Sequence, residues 1–475
     1  MSLHLIVIIV YLLGMILAGL YFSRREINTT EDFMVAGRRL PTIIVAGTLL
    51  ATFAGSGTIV AGAEFIYKYG PLAGIIYNAG IPLGIIVLYF VAGKVRSLEK
   101  ITLPEMLEIK YGRVTRLLAT IGILLAYIGL GAQQLIGGGY ILNLITGLST
   151  ETATIIIAIL VISLAVMGGL FSVAYTDFFS ALLIIFSMIL ALPFLFPKVG
   201  GISGLAEDLP AQHLSWSGGL TVTQLLGYFL PSFLLILGDQ NMYNRFSAAK
   251  SVKSARRSTI GFLVGDVFIL GIAAFITTTA IVLYPNIKGD MSFLHVTGNA
   301  LPASVGAIIY ASSIALIITT ANSYLLSVAG NIVYDIYQNY IAGRFDSKRE
   351  LSNRGYLTFS RFALVGVGIL AYILGEFFPS VLALQMYSYT MYGATITPAL
   401  LAAFFWRRAN TAGAIASIAT GGLATIIWEA VLNKPMGWNS VLVALPLSVI
   451  ALVVGSLLTS KKTEQEVYIY EQKMS

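Results

Sequence analysis

Two stretches of this chain place oxygen-bearing residues in the middle of long apolar runs. In Ile314–Tyr337, reading IALIITTANSYLLSVAGNIVYDIY, residues Thr319, Thr320, Asn322 and Ser323 fall within five positions. On a 3.6-residue period Thr319, Asn322 and Ser323 share one face and Thr320 sits at its shoulder. Four side-chain oxygens converging there suit a hard cation such as Na⁺. The same hydroxyls would also serve by bonding back to carbonyls one turn earlier. In Pro41–Tyr67, reading PTIIVAGTLLATFAGSGTIVAGAEFIY, the apolar run is interrupted by Ala54-Gly55-Ser56-Gly57-Thr58. Glycines weaken a helix there, and a break would free carbonyls at membrane depth to hold an ion or a solute. Close packing of helices through small residues is the other use of such a run.

Isolated acids add a second kind of chemistry. Asp239 lies six residues, about 9 Å along a helix, before the basic cluster that starts at Arg245. That puts it inside an apolar span, where an ionised acid needs a partner or water. It would hold a cationic solute, carry a proton, pair with Arg245, or cap a helix break. Asp177 sits near the end of a span whose flanking loop offers no Lys or Arg, and its plainer role is an N-cap for 174–197. Gln133 and Gln134 would hydrogen-bond a ligand or link neighbouring helices. Tyr387, Tyr389 and Tyr392 would form a cation-binding face or an interfacial belt. Glu64, Asp266 and Glu429 belong to no motif and are expected to be paired or near the interface.

The elements that must position these residues are membrane spans. Of the 475 residues 57% are hydrophobic and 11% charged, and the mean hydropathy is +0.85. Soluble proteins carry about 25% charged residues, so the chain reads as an all-α polytopic membrane protein forming one integral domain, 1–475. Thirteen spans are expected, at 3–22, 41–67, 72–95, 116–145, 152–170, 174–197, 222–246, 258–284, 302–335, 357–376, 380–406, 411–432 and 438–459. With the N-terminus outside, all of the 29 Lys and Arg except Lys68, Lys198, Lys288 and Lys434 fall on the cytoplasmic side. This is the positive-inside pattern, and it places the C-terminus and the polar tail 460–475 in the cytoplasm. The net charge of +7 therefore faces the inner leaflet and calls for no nucleic acid. The first apolar run lacks a basic n-region and a cleavage site, so it is expected to be retained. The absence of cysteine excludes thiolate chemistry, and there is no P-loop, GxSxG or HExxH. An enzyme is not expected.

Five segments in order, EDFMVAGRRLP (31–41), TLLATFAGSG, GGLFSVAYTDFF (168–179), GDQNMYNRFSAAKS (238–251) and IITTANS with its following YDIY, resemble the sodium:solute symporter family. GGLFSVAYTD is locally most similar to the choline-transporter branch. The resemblance implies a LeuT-like fold of two inverted five-helix repeats, here 41–197 and 222–406. One extra helix (3–22) would precede them and two (411–459) would follow. It implies a Na⁺ site from the carbonyls of Ala51, Ala54 and Leu316 and the hydroxyls of Thr319 and Thr320. A candidate second Na⁺ site would use Asp177, Asn322 and Ser323 with Thr319. Asp239 matches a substrate-facing position, and the DQ pattern with Gln240 is similar to polyamine and urea carriers. Thr58 and Tyr77 match contacts of the sugar branch. Phe53 stands where the choline branch has a cage aromatic and the proline branch an acid.

Together these imply secondary-active, Na⁺-coupled import of a small organic solute by alternating access, in the cell (inner) membrane. Na⁺ is the coupling ion. Solute is expected beside Phe53, Gly55 and Thr58, with Tyr77, Gln133, Asp239, Gln240 and Tyr389 in reach, and Asp239 leans the reading to an amine or cationic solute. A proton-coupled, monocarboxylate or sugar symporter of the same fold is the alternative. A membrane sensor on a transporter scaffold is the reading from another class. The expected partners are the solute, Na⁺ and the bilayer, with no nucleic acid and no obligate protein partner.

Overall fold

The computed structural model describes residues 3–26, 30–167, 170–342 and 353–459. Gly168 and Gly169 of the third motif, the basic residues Arg344, Lys348 and Arg349, and the tail 460–475 lie outside the described residues. Helices dominate. The described residues hold no strand, only a bridge between Leu40 and Ala249.

Seventeen helices carry the architecture. They are α1 (Leu3–Glu26), α2 (Thr42–Phe53), α3 (Gly57–Tyr69), α4 (Pro71–Leu98), α5 (Leu103–Tyr111) and α6 (Arg113–Thr146). Then come α7 (Thr150–Met167), α8 (Leu170–Leu195), α9 (Val222–Gly238), α10 (Gln240–Ala248), α11 (Val252–Leu283) and α12 (Ala303–Gly330). Last are α13 (Asn353–Gly375), α14 (Val381–Thr395), α15 (Thr397–Phe405), α16 (Thr411–Ile426) and α17 (Val441–Leu458). The sequence writes the junctions plainly. Gly70 (φ 92°) turns the chain between α3 and α4, and Pro71 opens α4, where its missing N–H is not needed. Thr221 and Gln224 form a reciprocal capping box at the start of α9, and Ser251 and Ser380 cap α11 and α14.

Nine helices among the described residues are long and apolar enough to cross a membrane, and α2–α3, bent by 50°, forms a tenth crossing as a pair. The expected 3–22 and 152–170 correspond to the shorter apolar stretches Leu3–Ala18 and Thr150–Val166. The expected 380–406 is two helices, α14 and α15, meeting at Ile396. The expected 302–335 continues α12 as π-helical turns from Asn331 to Ala342. The long apolar run could not reveal that widening.

α12 lies at the centre. In its apolar window 83% of residues are buried inside the protein, against 28% in α13 and in α17. It packs against α1, α6, α8 and α13, while α2 packs on α8 and α11, and α9 on α4 and α14. Small residues permit the close approaches. A Cβ on Gly80 of α4 would stand 2.8 Å from Phe229 O and 2.9 Å from Phe233 N of α9. The same logic joins the last two helices, where Gly413 of α16 faces Leu452 O of α17 at 2.6 Å from the position of an added Cβ. Overpacking of this kind costs about 1–3 kcal/mol. Gly413→Val is expected to lower the melting temperature of the purified protein while leaving its response to Na⁺ in place, because α16 and α17 do not form the site described below.

Candidate functional site

The apolar run Pro41–Tyr67 is broken in the middle. α2 ends at Phe53, Ala54 leaves helical geometry (φ −78°, ψ 76°), and α3 starts at Gly57 with π-helical turns. In a continuous helix the Thr58 amide would point at Ala54 O; here it donates to Gly55 O at 3.1 Å, and Gly55 N donates to Phe53 O at 3.0 Å. Polar backbone stranded at this depth must find partners within the protein. α6 supplies them: Gln134 Oε1 accepts from Ser56 N at 2.8 Å, and Ser56 Oγ donates to Gln133 O at 3.1 Å. Gly55 is required here, since a Cβ would stand 2.5 Å from Gln134 Oε1 and 3.0 Å from Thr320 Oγ1.

The polar run of α12 meets this break. Thr320 Oγ1 donates to Ala51 O at 2.9 Å, across two helices and 269 residues of chain. Thr319 Oγ1 donates to Leu316 O at 3.0 Å, the back-bonding expected of a helical Thr. Thus four of the five oxygens expected around Na⁺ lie in two adjacent pairs. The fifth, Ala54 O, is the carbonyl whose helical partner has been diverted.

The second set of expected ion ligands is arranged around an arginine. Arg245 of α10 is fully buried and its guanidinium donates to Asp177 Oδ2 (3.3 Å), Ser323 Oγ (2.8 Å), Thr48 Oγ1 (3.0 Å), Thr48 O (3.2 Å) and Asn241 O (3.1 Å). Thr48 Oγ1 in turn donates to Asp177 Oδ2 at 2.5 Å. Asp177 and Ser323, expected as candidate ligands of a second Na⁺, thus share the Arg245 guanidinium, and Asp177 lies inside α8 and is not an N-cap. Asn322 Oδ1 is buried without a partner and takes no part in the arginine's bonds.

Asp239 sits at a second helix break, between α9 and α10. It is fully buried, and its Oδ1 accepts from Tyr127 Oη and, at 2.8 Å, from Asn241 N, so it caps α10. Of the roles open to it from sequence, the cap is realised and pairing with Arg245 is not. Tyr392 Oη bridges the same break, donating to Gly238 O (2.9 Å) and accepting from Gln240 N (3.0 Å). The side-chain amide of Gln240, expected from sequence to be within reach of the solute, exchanges two hydrogen bonds with Asn331 (2.8 and 3.1 Å).

The remaining candidates gather around Gly57. A Cβ there would meet Gln133 Nε2 at 3.2 Å, Tyr389 Oη at 3.2 Å and Gln385 Nε2 at 3.3 Å. Gln133 donates to Gln385 Oε1 at 3.3 Å, and Tyr77 lies beside Gln385 with its ring stacked on Phe65 (4.5 Å, 13°). Phe53 packs edge-on against Phe262 of α11 at 6.4 Å. Thr58 is half-buried in the first turn of α3. Tyr387 instead packs against Phe378, so the three tyrosines do not act as one face. On the side carrying Lys68 and Lys434, a cavity of about 300 Å³ is lined by Glu64, Tyr228, Ser380, Met386 and Asn439 together with these lysines. Near that end, outside the spans, Asp290 is pushed above the usual carboxylate value by burial, against the pull of Tyr140 and Lys288.

Sequence reasoning missed Gln385 and Phe262, and it expected Asp266 to be paired or near the interface. Gln385 precedes Tyr389 by one helical turn, and Asp266 follows Phe262 by one turn. That spacing was the available signal. Glu429 is paired with Lys434 (2.7 Å) and Glu64 accepts from Leu382 N (3.3 Å), as expected of intramembrane acids; Asp266 is not paired.

Removing one partner of a buried ion pair strands the other charge, at a cost of about 3–5 kcal/mol. Asp177→Asn is expected to lower thermal stability markedly, and Asp177→Asn with Arg245→Gln to recover part of the loss, both read from melting of the purified protein.

Comparison with known proteins agrees with this geometry. The "Sodium:solute symporter family" matches residues 33–421. The high-affinity proline transporter PutP of Bacillus subtilis is 27% identical over 438 residues, covering 87% of this chain and 89% of that protein. The sodium/proline symporter of Escherichia coli is 26% identical, covering 96% and 93%. Among solved structures, the substrate-bound outward-open state of a Na⁺-coupled sialic acid symporter superposes with a TM-score of 0.79 at 22% identity, over 96% of this chain and 98% of that one. MhsT in complex with L-phenylalanine gives 0.55 at 14% identity, over 88% and 97%. The fold is thus LeuT-like. With its broken helices, its Thr320–Ala51 contact between α12 and α2 and a family match over most of its length, the chain belongs to the sodium:solute symporter family.

Proposed function

We propose that this protein imports a small amino-acid-type solute together with Na⁺, binding the ion at Ala51, Ala54, Leu316, Thr319 and Thr320. The observation that carries the reading is the Thr320 Oγ1–Ala51 O contact at 2.9 Å. It joins the broken helix to the central one at the point where a cation would sit against both oxygens, the hydroxyl keeping its hydrogen and turning it aside. Na⁺ bound there tightens α2 against α12, and solute is held beside it by Phe53, Gly55, Thr58, Tyr77, Gln133 and Tyr389. Ion and solute then each favour the same closed state, and linkage makes that preference reciprocal. The membrane potential adds about 2.3 kcal/mol per charge per 100 mV to the ion gradient.

The amine lean changes its footing. Asp239, on which it rested, has one oxygen occupied by the Asn241 amide and the Tyr127 hydroxyl. Relatives that carry proline favour a zwitterion, which keeps a cationic nitrogen but adds a carboxylate. The proposal includes thirteen spans with the N-terminus outside and the C-terminus cytoplasmic, because this arrangement puts all but four of the basic residues inside. It also includes the repeats 41–197 and 222–406. The breaks at Ala54 and Asp239 fall in their first helices, which favours that division.

A ligand that binds only the folded state stabilises it by about 2.7 kcal/mol at a hundred times its dissociation constant. Na⁺ in place of K⁺ is expected to raise the melting temperature of the wild type and, with solute present, to raise it further. Thr320→Ala should lose the Na⁺ response while Thr320→Ser retains it. Equal shifts in both salts would remove the sodium assignment.

A further inference from the structure

We propose that Asp266 is the anchor for a positively charged nitrogen on the transported solute, and that this carboxylate sets the preference for ammonium-bearing over deaminated solutes. The inference rests on the symport reading above and names the part of the solute which that reading leaves open.

The four buried aspartates of the described residues have unequal surroundings. Asp177 faces the Arg245 guanidinium, and Asp335 faces Arg116 at 2.6 Å and Thr102 at 2.9 Å. Asp239 takes a tyrosine hydroxyl and a helix N-terminal amide on one oxygen. Asp266 is only 2% exposed, its Oδ2 is buried without a hydrogen-bond partner, and no Lys, Arg or His among the described residues pairs with it. It lies in the middle of α11, far from either end of a 32-residue helix, so no loop or helix terminus can neutralise it. An isolated ionised carboxylate at this depth is costly, so Asp266 is neutral when alone and ionises when a cation arrives beside it.

Its position supplies the rest. Asp266 is one helical turn beyond Phe262, the residue whose ring packs on Phe53 at the end of α2. The carboxylate is thus one helical turn from a ring that packs on α2, the helix that also carries Ala51 O. A carboxylate at one turn from the Phe53–Phe262 ring pair suits an alkylammonium group, which gains from both charge pairing and cation–π contact.

The test uses pairs of solutes that differ in the ammonium group: L-proline against cyclopentanecarboxylate, and L-phenylalanine against 3-phenylpropionate. Thermal shifts of the full-length purified protein are titrated in NaCl and in KCl. The expected result is that at least one ammonium-bearing member binds the wild type tenfold or more tighter than its deaminated partner. Asp266→Asn should abolish that ratio while leaving the shift due to Na⁺ alone unchanged, and Asp266→Glu should keep the ratio at reduced affinity. A wild type that binds both members of every pair equally, or binds no ammonium-bearing member, overturns the proposal. So does Asp266→Asn with an undiminished ratio. If Asp266→Asn leaves solute affinity intact but abolishes uptake driven by a proton gradient in proteoliposomes, the residue carries a proton and the proposal also falls. Should Asp266→Asn fail to fold, the wild-type ratio and Asp266→Glu still decide. Failure of the symport reading is separate, because it shows as loss of the Na⁺ shift in the wild type.

Discussion

Backbone polar groups in hydrocarbon must be satisfied by the protein itself, and this constraint organises the molecule. Two helices, α2–α3 and α9–α10, stop and restart within the bundle, and each stop strands amides and carbonyls. The side chains that answer them come from the breaks themselves and from helices far away in the chain. Gln134 and Ser56 repair the first break. Tyr392, Tyr127 and Asp239 repair the second. What is left over at the first break is the Ala54 carbonyl, beside the Thr320–Ala51 contact where the ion is proposed to bind. On that proposal the binding site is the unrepaired remainder of a structural defect.

Buried charge follows the same rule with larger energies. The Arg245 guanidinium has five oxygen acceptors drawn from α2, α8, α10 and α12, so one side chain ties four helices together. Arginine suits this because its planar fork offers several fixed donors and stays charged. The arrangement also explains why Asp177 and Ser323, although well placed for a cation, are already in service. A charge held in this manner is weak evidence for stability but strong evidence for a defined arrangement of the helices it joins.

Glycine does the complementary work of bringing the repairing groups close enough. Gly55 leaves room for Gln134 and Thr320, and Gly57 for Gln133, Gln385 and Tyr389. A side chain at either position would fill the space where ion and solute are proposed to meet. The helix break and the close packing expected of the Ala54–Thr58 run are therefore both observed.

The apolar spans, the basic asymmetry and the weak point at Ala54–Thr58 were legible in the sequence, because composition and local propensity are properties of neighbouring residues. So was the back-bonding of Thr319 to Leu316, which needs only one helix. The family resemblance added the pairing of Thr320 with Ala51, which no periodicity could reveal across 269 residues. Tertiary structure alone decided the partners of the charged and amide groups. Arg245 chose Asp177 over its near neighbour Asp239, since a helix break turned Asp239 toward Tyr127. Gln240 went to Asn331, and Asp266 was left without a partner. A local pattern states which side chain needs a partner at depth. Only the packing of distant helices determines which partner arrives, or that none does.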